Sequence, residues 1–172
     1  TGVGVSKNST AATFILGDDA YNRQYRSILS FPTYYLPDNA VITQVLLTMQ
    51  LESVVGKNPF STHRNMWVDI RQGAFGSFGP FQIGALQNTD FQAPASLYTA
   101  AWVTDNAVGG WYWTSFGTPA FPYINLNGVT QFRLGFQLDD DDDRLEDYVS
   151  FFSGNFGTLS ARPQLTIKYY VP

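Results

Sequence analysis

The sequence concentrates its negative charge in one short stretch, which is the most obvious place for chemistry. Residues 138–147 read LDDDDDRLED and hold half of the 14 acidic residues. Calcium takes six to eight oxygen ligands, and loops with aspartates at alternate positions supply them. Asp139, Asp141 and Asp143 repeat this D-x-D-x-D spacing. The glycine and the final glutamate of a helix-loop-helix calcium site are absent, so any calcium loop here is of another kind.

Three further aspartates can join this run if the fold brings them close, namely Asp18, Asp19 and Asp147. The first hypothesis is a calcium site built from the six residues Asp139, Asp141, Asp143, Asp147, Asp18 and Asp19. The alternative is a solvated hairpin tip whose charge hinders edge-to-edge pairing of strands. A catalytic carboxylate pair is less favoured, because tandem aspartates on one tip lack the opposed geometry that glycoside hydrolysis requires.

The segment GWYWTSFG, residues 110–117, is the second candidate site. In a strand, alternate side chains face opposite sides, so Trp111 and Trp113 share one face and Tyr112 lies on the other. Exposed Trp and Tyr rings can stack on sugars, which makes these three residues candidate ligand-binding residues. The structural alternative is that one face of this strand is core. Trp67 and Trp102 are predicted to be core residues.

Residues for nucleophilic or metal-assisted catalysis are scarce. His63 is the only histidine and there is no cysteine, so a zinc site of the usual type is excluded. No G-x-S-x-G motif is present. His63 stands in the polar segment STHRN and is predicted to lie on the surface. We therefore expect no enzymatic activity.

Four arginines lie within or beside apolar runs: Arg26, Arg71, Arg133 and Arg162. A buried guanidinium needs a carboxylate or several carbonyl groups. The available carboxylates are Asp69, Asp18, Asp19 and Asp147. The sequence thus favours ion pairs that stabilise the fold over a role of these arginines in ligand binding.

Short β-rich runs that must position these residues recur along the chain, separated by Gly, Pro, Asn and Asp. About ten strands are predicted, with at most one short helical turn, near residues 89–96. The predicted strands cover 12–16, 25–31, 41–52, 66–72, 98–103, 110–116, 123–127, 131–138, 147–153 and 163–171. Many short strands with long irregular loops predict an all-β, antiparallel two-sheet jelly-roll sandwich. Residues 1–172 are expected to form a single domain.

Composition excludes some classes of partner. The net charge is −4 and charged residues make up only 14% of the chain, so no basic surface for nucleic acid is expected. No apolar run is long enough to insert into a membrane. A polar surface with few charges is common on extracellular β proteins.

Four segments together carry a family likeness: GDDAYNRQYRSILSF (17–31), LPDNAVITQVLLTMQ (36–50), NGVTQFRLGFQLDDDDD (127–143) and DYVSFFSGNFGTLSARPQLTIKYYVP (147–172). They resemble the DNRLRE-type domain, over nearly the whole chain. The resemblance implies a jelly-roll module of large secreted bacterial proteins, without intrinsic catalysis. Some members of that family are similar to carbohydrate-binding modules.

Two functions of different class follow as expectations. The first is an extracellular structural or adhesive module that assembles with copies of itself into a surface layer or filament. In this hypothesis residues 1–14 are donated to a neighbouring subunit, with Thr1, Gly2, Val3, Gly4 and Val5 in the interface. The alternative is a module that binds a cell-surface polysaccharide through exposed aromatic residues.

Overall fold

Two antiparallel sheets make up the protein in the computed structural model, which describes residues 6–76 and 85–172. The ten strands of this part are β1 Thr13–Asp18, β2 Gln24–Tyr25, β3 Ser27–Pro32, β4 Val41–Val55, β5 Met66–Gln72, β6 Leu97–Val103, β7 Trp111–Phe116, β8 Val129–Phe136, β9 Asp147–Phe152 and β10 Gln164–Tyr170. One α-helical turn covers Pro59–Thr62, and 3₁₀ turns cover Asn88–Phe91, Thr118–Tyr123 and Leu159–Ala161.

The order of the strands confirms the predicted jelly roll. In the first sheet β1 pairs with β9, β9 with β4 and β4 with β7. In the second sheet β3 pairs with β8, β8 with β5 and β5 with β6. These two sets of four are the two sheets of an eight-stranded jelly roll. β2 and β10 extend the first sheet, β2 beside β1 and β10 beside β4.

The core lies between the inner faces of the two sheets and follows from strict alternation in the longest strands. In β4, Val45, Leu47 and Met49 are buried, whereas the residues between them are half-buried on the other face. In β5, Met66, Val68 and Ile70 face the core, while Asp69 is buried on the other face. The largest fully buried side chains between the sheets include Phe132, Phe136, Phe151, Leu47, Met49, Met66, Ile70 and Leu134. Apolar burial of this extent needs no disulfide bonds to hold the fold.

Two predictions about local structure are wrong. Residues 123–127 are not a strand, because a 3₁₀ turn that contains Pro122 extends to Tyr123 and the following chain turns back. The Asn125 backbone N–H donates to Thr130 Oγ1, and the Asn125 side chain holds the turn that leads into β8. Trp102 is not a core residue either, since it is exposed on the outer face of β6. Trp67 is half-buried on the same outer face.

The N-terminal segment, as far as the structure describes it, packs on its own chain. Ala12 O accepts a hydrogen bond from the Ser153 backbone N–H, and Ala11 O accepts one from the Ser153 hydroxyl. The Phe14 ring stacks on Phe151, with 5.3 Å between ring centroids. The predicted interface residues Thr1, Gly2, Val3, Gly4 and Val5 lie outside the described residues.

The described residues contain only very short helices. None of them has the length and hydropathy that a membrane-spanning helix needs.

Candidate functional site

Three aspartates of the predicted calcium site come together at one end of the sandwich. Carboxylate oxygens of Asp141, Asp143 and Asp147 all lie within 4.8 Å of one another. Asp147 opens β9, and the preceding loop folds back over it. The loop is shaped by its own side chains, since Asp143 Oδ1 accepts from the Leu145 backbone N–H at 2.8 Å. The alternation of aspartates therefore places two carboxylates of the loop beside a third in the sheet.

Asp18 lies directly opposite Asp147 in the antiparallel pairing of β1 with β9. Both side chains are fully buried. Neither oxygen of Asp18, nor Asp147 Oδ2, accepts a hydrogen bond of normal geometry from a residue that the structure describes. Burial raises the pKa of Asp18, the His63 ring lowers it and the Asp141 carboxylate raises it, and the pKa is raised on balance. The Asp147 backbone N–H, which lies nearby, lowers this pKa less than His63 does. We call Asp18, Asp141, Asp143 and Asp147 the acidic cluster.

Lys57 is the basic residue that contacts the acidic cluster. Its ammonium lies 2.6 Å from Asp143 Oδ2 and 3.9 Å from Asp141 Oδ2, and its backbone N–H donates to Asp147 Oδ1 at 2.7 Å. The hydrogen bond from Lys57 lowers the pKa of Asp143. Gly56, the residue before Lys57, has φ +69°. A Cβ at Gly56 would overlap Asp147 Oδ1 and the carbonyl oxygen of Glu146. The turn after β4 thus requires glycine in order to hold Lys57 against the cluster.

Asp19 and Asp139 do not belong to the cluster. Asp19 is buried, but it holds the turn before β2: its Oδ1 accepts the backbone N–H groups of Tyr21 and Arg23, and Oδ2 pairs with the Arg23 guanidinium at 2.6 Å. Burial raises the pKa of Asp19, but these hydrogen bonds outweigh it and lower the pKa overall. Asp139 is exposed and lies near the start of the loop that joins β8 to β9.

His63 lies at the same end of the sandwich and is completely buried, contrary to the predicted surface position. Its Nε2 lies 3.4 Å from Asp18 Oδ1, and its Nδ1 is 2.6 Å from the Thr62 hydroxyl. The ring also contacts Phe136 edge-on. The side chains of His63 and Asp18 are both closed to solvent. The residues next to His63 in the sequence are polar, and this local pattern predicts a surface position rather than a buried one.

The aromatic residues of β7 divide between the two faces of the strand. Tyr112 is a core residue, so it cannot belong to an exposed platform. Its ring stacks on Phe60, and its hydroxyl donates to Asp105 at 2.9 Å. Trp113 has 43% of its surface exposed and Trp111 is half-buried, both on the outer face. The predicted shared face of Trp111 and Trp113 therefore exists.

Polar side chains that form no hydrogen bond with a described residue lie on the same outer face as these two tryptophans. Across β7 and β4, Trp113 lies opposite Thr48 and Trp111 opposite Gln50. The outward residues of β4, β7 and β10 include Gln44, Thr48, Gln50, Ser115 and Thr166. Within the described part of the chain, none of these five side chains forms a hydrogen bond or ion pair. We call this surface, with Trp111 and Trp113, the polar sheet face. Its amides and hydroxyls are free to bind a ligand.

A second aromatic surface lies on the outer face of the other sheet. Trp67 and Trp102 are direct cross-strand partners on β5 and β6. The Trp67 ring lies against Gly135, where a Cβ would overlap it, and its indole N–H donates to Phe136 O. The Arg26 guanidinium covers this ring at 5.5 Å from its centroid. Trp67 is thus already in contact on several sides, whereas Trp102 is exposed.

Of the four arginines, only Arg133 forms one of the predicted ion pairs with an aspartate in the described residues. Its Nη2 lies 2.7 Å from Asp69 Oδ2 with both side chains buried. Arg26 instead donates to the Gln24 side chain, and Arg162 donates to Phe156 O. Arg71 Nε is buried without a hydrogen bond. Arg133 therefore has the predicted role of an ion pair that stabilises the fold. Among the described residues, no arginine forms an ion pair with the acidic cluster.

Comparison with protein-family models gives no match for this chain. Comparison with curated proteins gives no match either. The resemblance to DNRLRE-type domains therefore stays a prediction from the quoted segments.

Proposed function

We propose that this protein is a non-enzymatic, secreted or cell-surface module that binds a polysaccharide on the polar sheet face. The observation that carries the proposal is the exposed Trp113, with Trp111 beside it, on a sheet face whose neighbouring amides and hydroxyls have no hydrogen-bond partner among the described residues. A sugar ring offers an apolar C–H face and a rim of hydroxyls. The polar sheet face offers the complement of both.

The chemistry of this face favours a neutral polymer. The five uncommitted side chains are amides and hydroxyls, and Lys168 is the charged residue of β10 that shares the face. Amides both donate and accept hydrogen bonds, which suits hydroxyl groups. Carboxylated or sulfated sugars would call for guanidinium groups in bidentate geometry instead. The face also runs along strands, so an extended chain can lie across several residues.

Binding of a panel of neutral and acidic polysaccharides, measured by affinity electrophoresis and isothermal titration calorimetry, tests the proposal. Trp113→Ala is expected to weaken binding of a neutral polysaccharide at least about tenfold, because a central aromatic contact is lost. Trp102→Ala is the matched control, since both tryptophans are 43% exposed but lie on different sheets.

Each pattern of results decides between the two surfaces. Loss of binding in Trp113→Ala with unchanged binding in Trp102→Ala supports the polar sheet face. The reverse pattern would move the site to the second sheet and contradict the proposal. Absence of binding to every polysaccharide in the panel by the unmodified protein would contradict it as well. Near-ultraviolet circular dichroism of both variants checks that they keep the native fold.

Self-association into a structural or adhesive subunit is the second candidate function. It is supported by strand β10, which pairs with β4 alone in the described part of the chain and so presents an open edge. Tyr169, Tyr170 and Val171 are exposed at the end of this edge. Open strand edges with apolar side chains are prone to pair with other chains. This edge is a described surface with features of an interface, and the predicted interface at Thr1, Gly2, Val3, Gly4 and Val5 stays a prediction.

Light scattering of the purified protein tests self-association. Assembly that Tyr170→Lys and Val171→Lys abolish, but that Leu159→Lys leaves intact, would support the β10 edge. Leu159 is a suitable control because it is exposed elsewhere on the surface. A monomer at all concentrations would contradict this second function and leave polysaccharide binding as the proposal.

A further inference from the structure

We propose that the acidic cluster of Asp18, Asp141, Asp143 and Asp147 binds a calcium ion at the end of the β1–β9 pair. This site differs from the one that the sequence suggests, because it excludes Asp19 and Asp139 and depends on a fully buried residue from the first strand. The inference does not rest on polysaccharide binding and can be tested separately.

The first observation is the convergence of three carboxylates. Oxygens of Asp141, Asp143 and Asp147 lie within 4.8 Å of one another, which is close enough for all three to contact one ion. Like charges at such distances repel, and this repulsion is stronger near the protein interior than in water. Clusters of exposed acidic residues occur without metals, so this convergence alone does not establish a site.

The second observation is independent of the loop and concerns Asp18. Its carboxylate is fully buried and faces Asp147 across the strand pair, and within residues 6–76 and 85–172 neither of its oxygens accepts a hydrogen bond of normal geometry. Asp147 Oδ2 is buried in the same way. An ionised carboxylate that loses its hydration must gain a partner of opposite charge or hydrogen bonds. Two such carboxylates at neighbouring positions point to a shared cation.

His63 does not meet this need by itself. Its Nε2 lies at 3.4 Å from one oxygen of Asp18, on the side of the interior, and it forms no hydrogen bond of normal geometry there. Among the described residues, Asp18 Oδ2 and Asp147 Oδ2 have no hydrogen-bond donor. The His63 ring thus contacts Asp18 Oδ1, whereas Asp18 Oδ2 and Asp147 Oδ2 are available to another ligand.

The Lys57 ammonium places a positive charge beside two carboxylates of the acidic cluster. Its ammonium reaches Asp143 and Asp141 from the outer side, but its side chain is 56% exposed. A lysine side chain is flexible, so its head group can leave the cluster for water when a divalent ion enters. Lys57 is therefore an internal competitor for the ion, and the Lys57 backbone N–H continues to hold Asp147 in place.

The chemistry of the donors favours calcium over other metals. All four residues of the cluster offer carboxylate oxygens, which hard cations prefer over softer transition metals. Two carboxylates come from a loop and two from strands, an irregular arrangement that suits the flexible coordination of calcium. Magnesium requires a near-ideal octahedron and keeps several waters, so it should bind more weakly.

Titration of the full chain with Ca²⁺ after treatment with a chelator tests the site, by calorimetry and by displacement of luminescent Tb³⁺. The double variant Asp141→Asn/Asp143→Asn should weaken calcium binding by at least about tenfold, because two ligands become neutral. The matched control is Asp139→Asn/Asp142→Asn, which removes the same charge from the same run but outside the cluster. The control should bind calcium as the unmodified protein does.

Lys57→Met provides a test that does not depend on damaging the site. Removal of the competing ammonium should strengthen calcium binding about tenfold. In parallel, calcium at 100 times its dissociation constant should raise the melting temperature of the unmodified protein by roughly 5–10 °C. Magnesium at the same concentration should raise it less.

Three outcomes would overturn the inference. One is the absence of saturable calcium binding at millimolar concentration in the unmodified protein. Another is equal weakening in both double variants, which would indicate diffuse attraction to the aspartate run. The third is weaker binding in Lys57→Met, which would show that Lys57 supports the ion rather than competes with it.

Discussion

Arg133 and Asp69 form a buried ion pair across β8 and β5, with 2.7 Å between Nη2 and Oδ2. The Arg133 guanidinium also donates through Nη1 to Phe91 O and Ala93 O, so it fixes the loop before β6 to the outer face of the second sheet. Asp69 in turn accepts the Thr99 backbone N–H. The pair thus connects the sheet to the loop of Phe91 and Ala93.

The first prediction concerns this pair. Arg133→Met leaves the Asp69 carboxylate buried without its counter-ion and should lower the free energy of unfolding by about 3–5 kcal/mol. The double variant Asp69→Asn/Arg133→Met should recover part of that loss, because a neutral amide costs less to bury than a charge. Urea denaturation measures both values. A loss below about 1 kcal/mol in the single variant, typical of a surface pair, would contradict the assignment.

The second prediction concerns alkaline pH. Burial and the hydrogen bond to Asp105 raise the pKa of Tyr112 to about 12, from the ordinary value of 10.0. Below pH 10 the phenol is neutral in both the folded and the unfolded chain, and its contribution to stability is constant. Between pH 10 and pH 12 the unfolded chain loses this proton first, so stability should fall as pH rises through this window.

Comparison with Tyr112→Phe isolates the effect of that phenol. The ring of the variant still packs on Phe60, but it has no proton to lose. The difference in melting temperature between the two proteins should therefore shift in favour of the variant above pH 10. If the two curves stay parallel up to pH 12, Tyr112 ionises equally in the folded and unfolded chain, and the predicted pKa is wrong.

The third prediction uses two glycines with similar backbone conformations. Gly56 has φ +69° and Gly109 has φ +59°, so alanine is strained at both positions. Gly109→Ala should cost about 1 kcal/mol, since no atom lies within 4 Å of the added Cβ. Gly56→Ala should cost about 1–3 kcal/mol more, because its Cβ overlaps the carboxylate of Asp147. Thermal denaturation measures both, and equal costs would argue against the close approach.

The strands and their pairing class were predictable because the relevant signals are local. Alternation in β4 and β5 separates an inward set of residues from an outward set, and turn residues mark where the strands end. Alternation does not tell which set is inward. The sequence predicts Trp67 and Trp102 as core residues, but the opposite faces of β5 and β6 fill the core instead, through Met66, Val68, Ala101 and Val103.

The acidic site was predictable in part for a similar reason. Asp141 and Asp143 are two residues apart in the sequence, and this spacing predicts that their side chains lie on the same side of the loop. Asp18 and Asp19 were both included, yet adjacent residues of an extended chain point to opposite sides. Only Asp18 therefore faces Asp147. That pairing joins distant parts of the chain, as does the burial of His63, and no local pattern reports such contacts.

The pairing of β1 with β9 also sets an order of events during synthesis. Strand β1 is synthesised long before β9, which is its main hydrogen-bonding partner in the described part of the chain. Until that strand has been made, the apolar side of β1 stays in water and Asp18 keeps its hydration shell. Long-range closure of this kind slows folding. Any chain that stops before Asp147 therefore lacks the β9 partner of β1, and β9 must leave the ribosome before the sandwich can close.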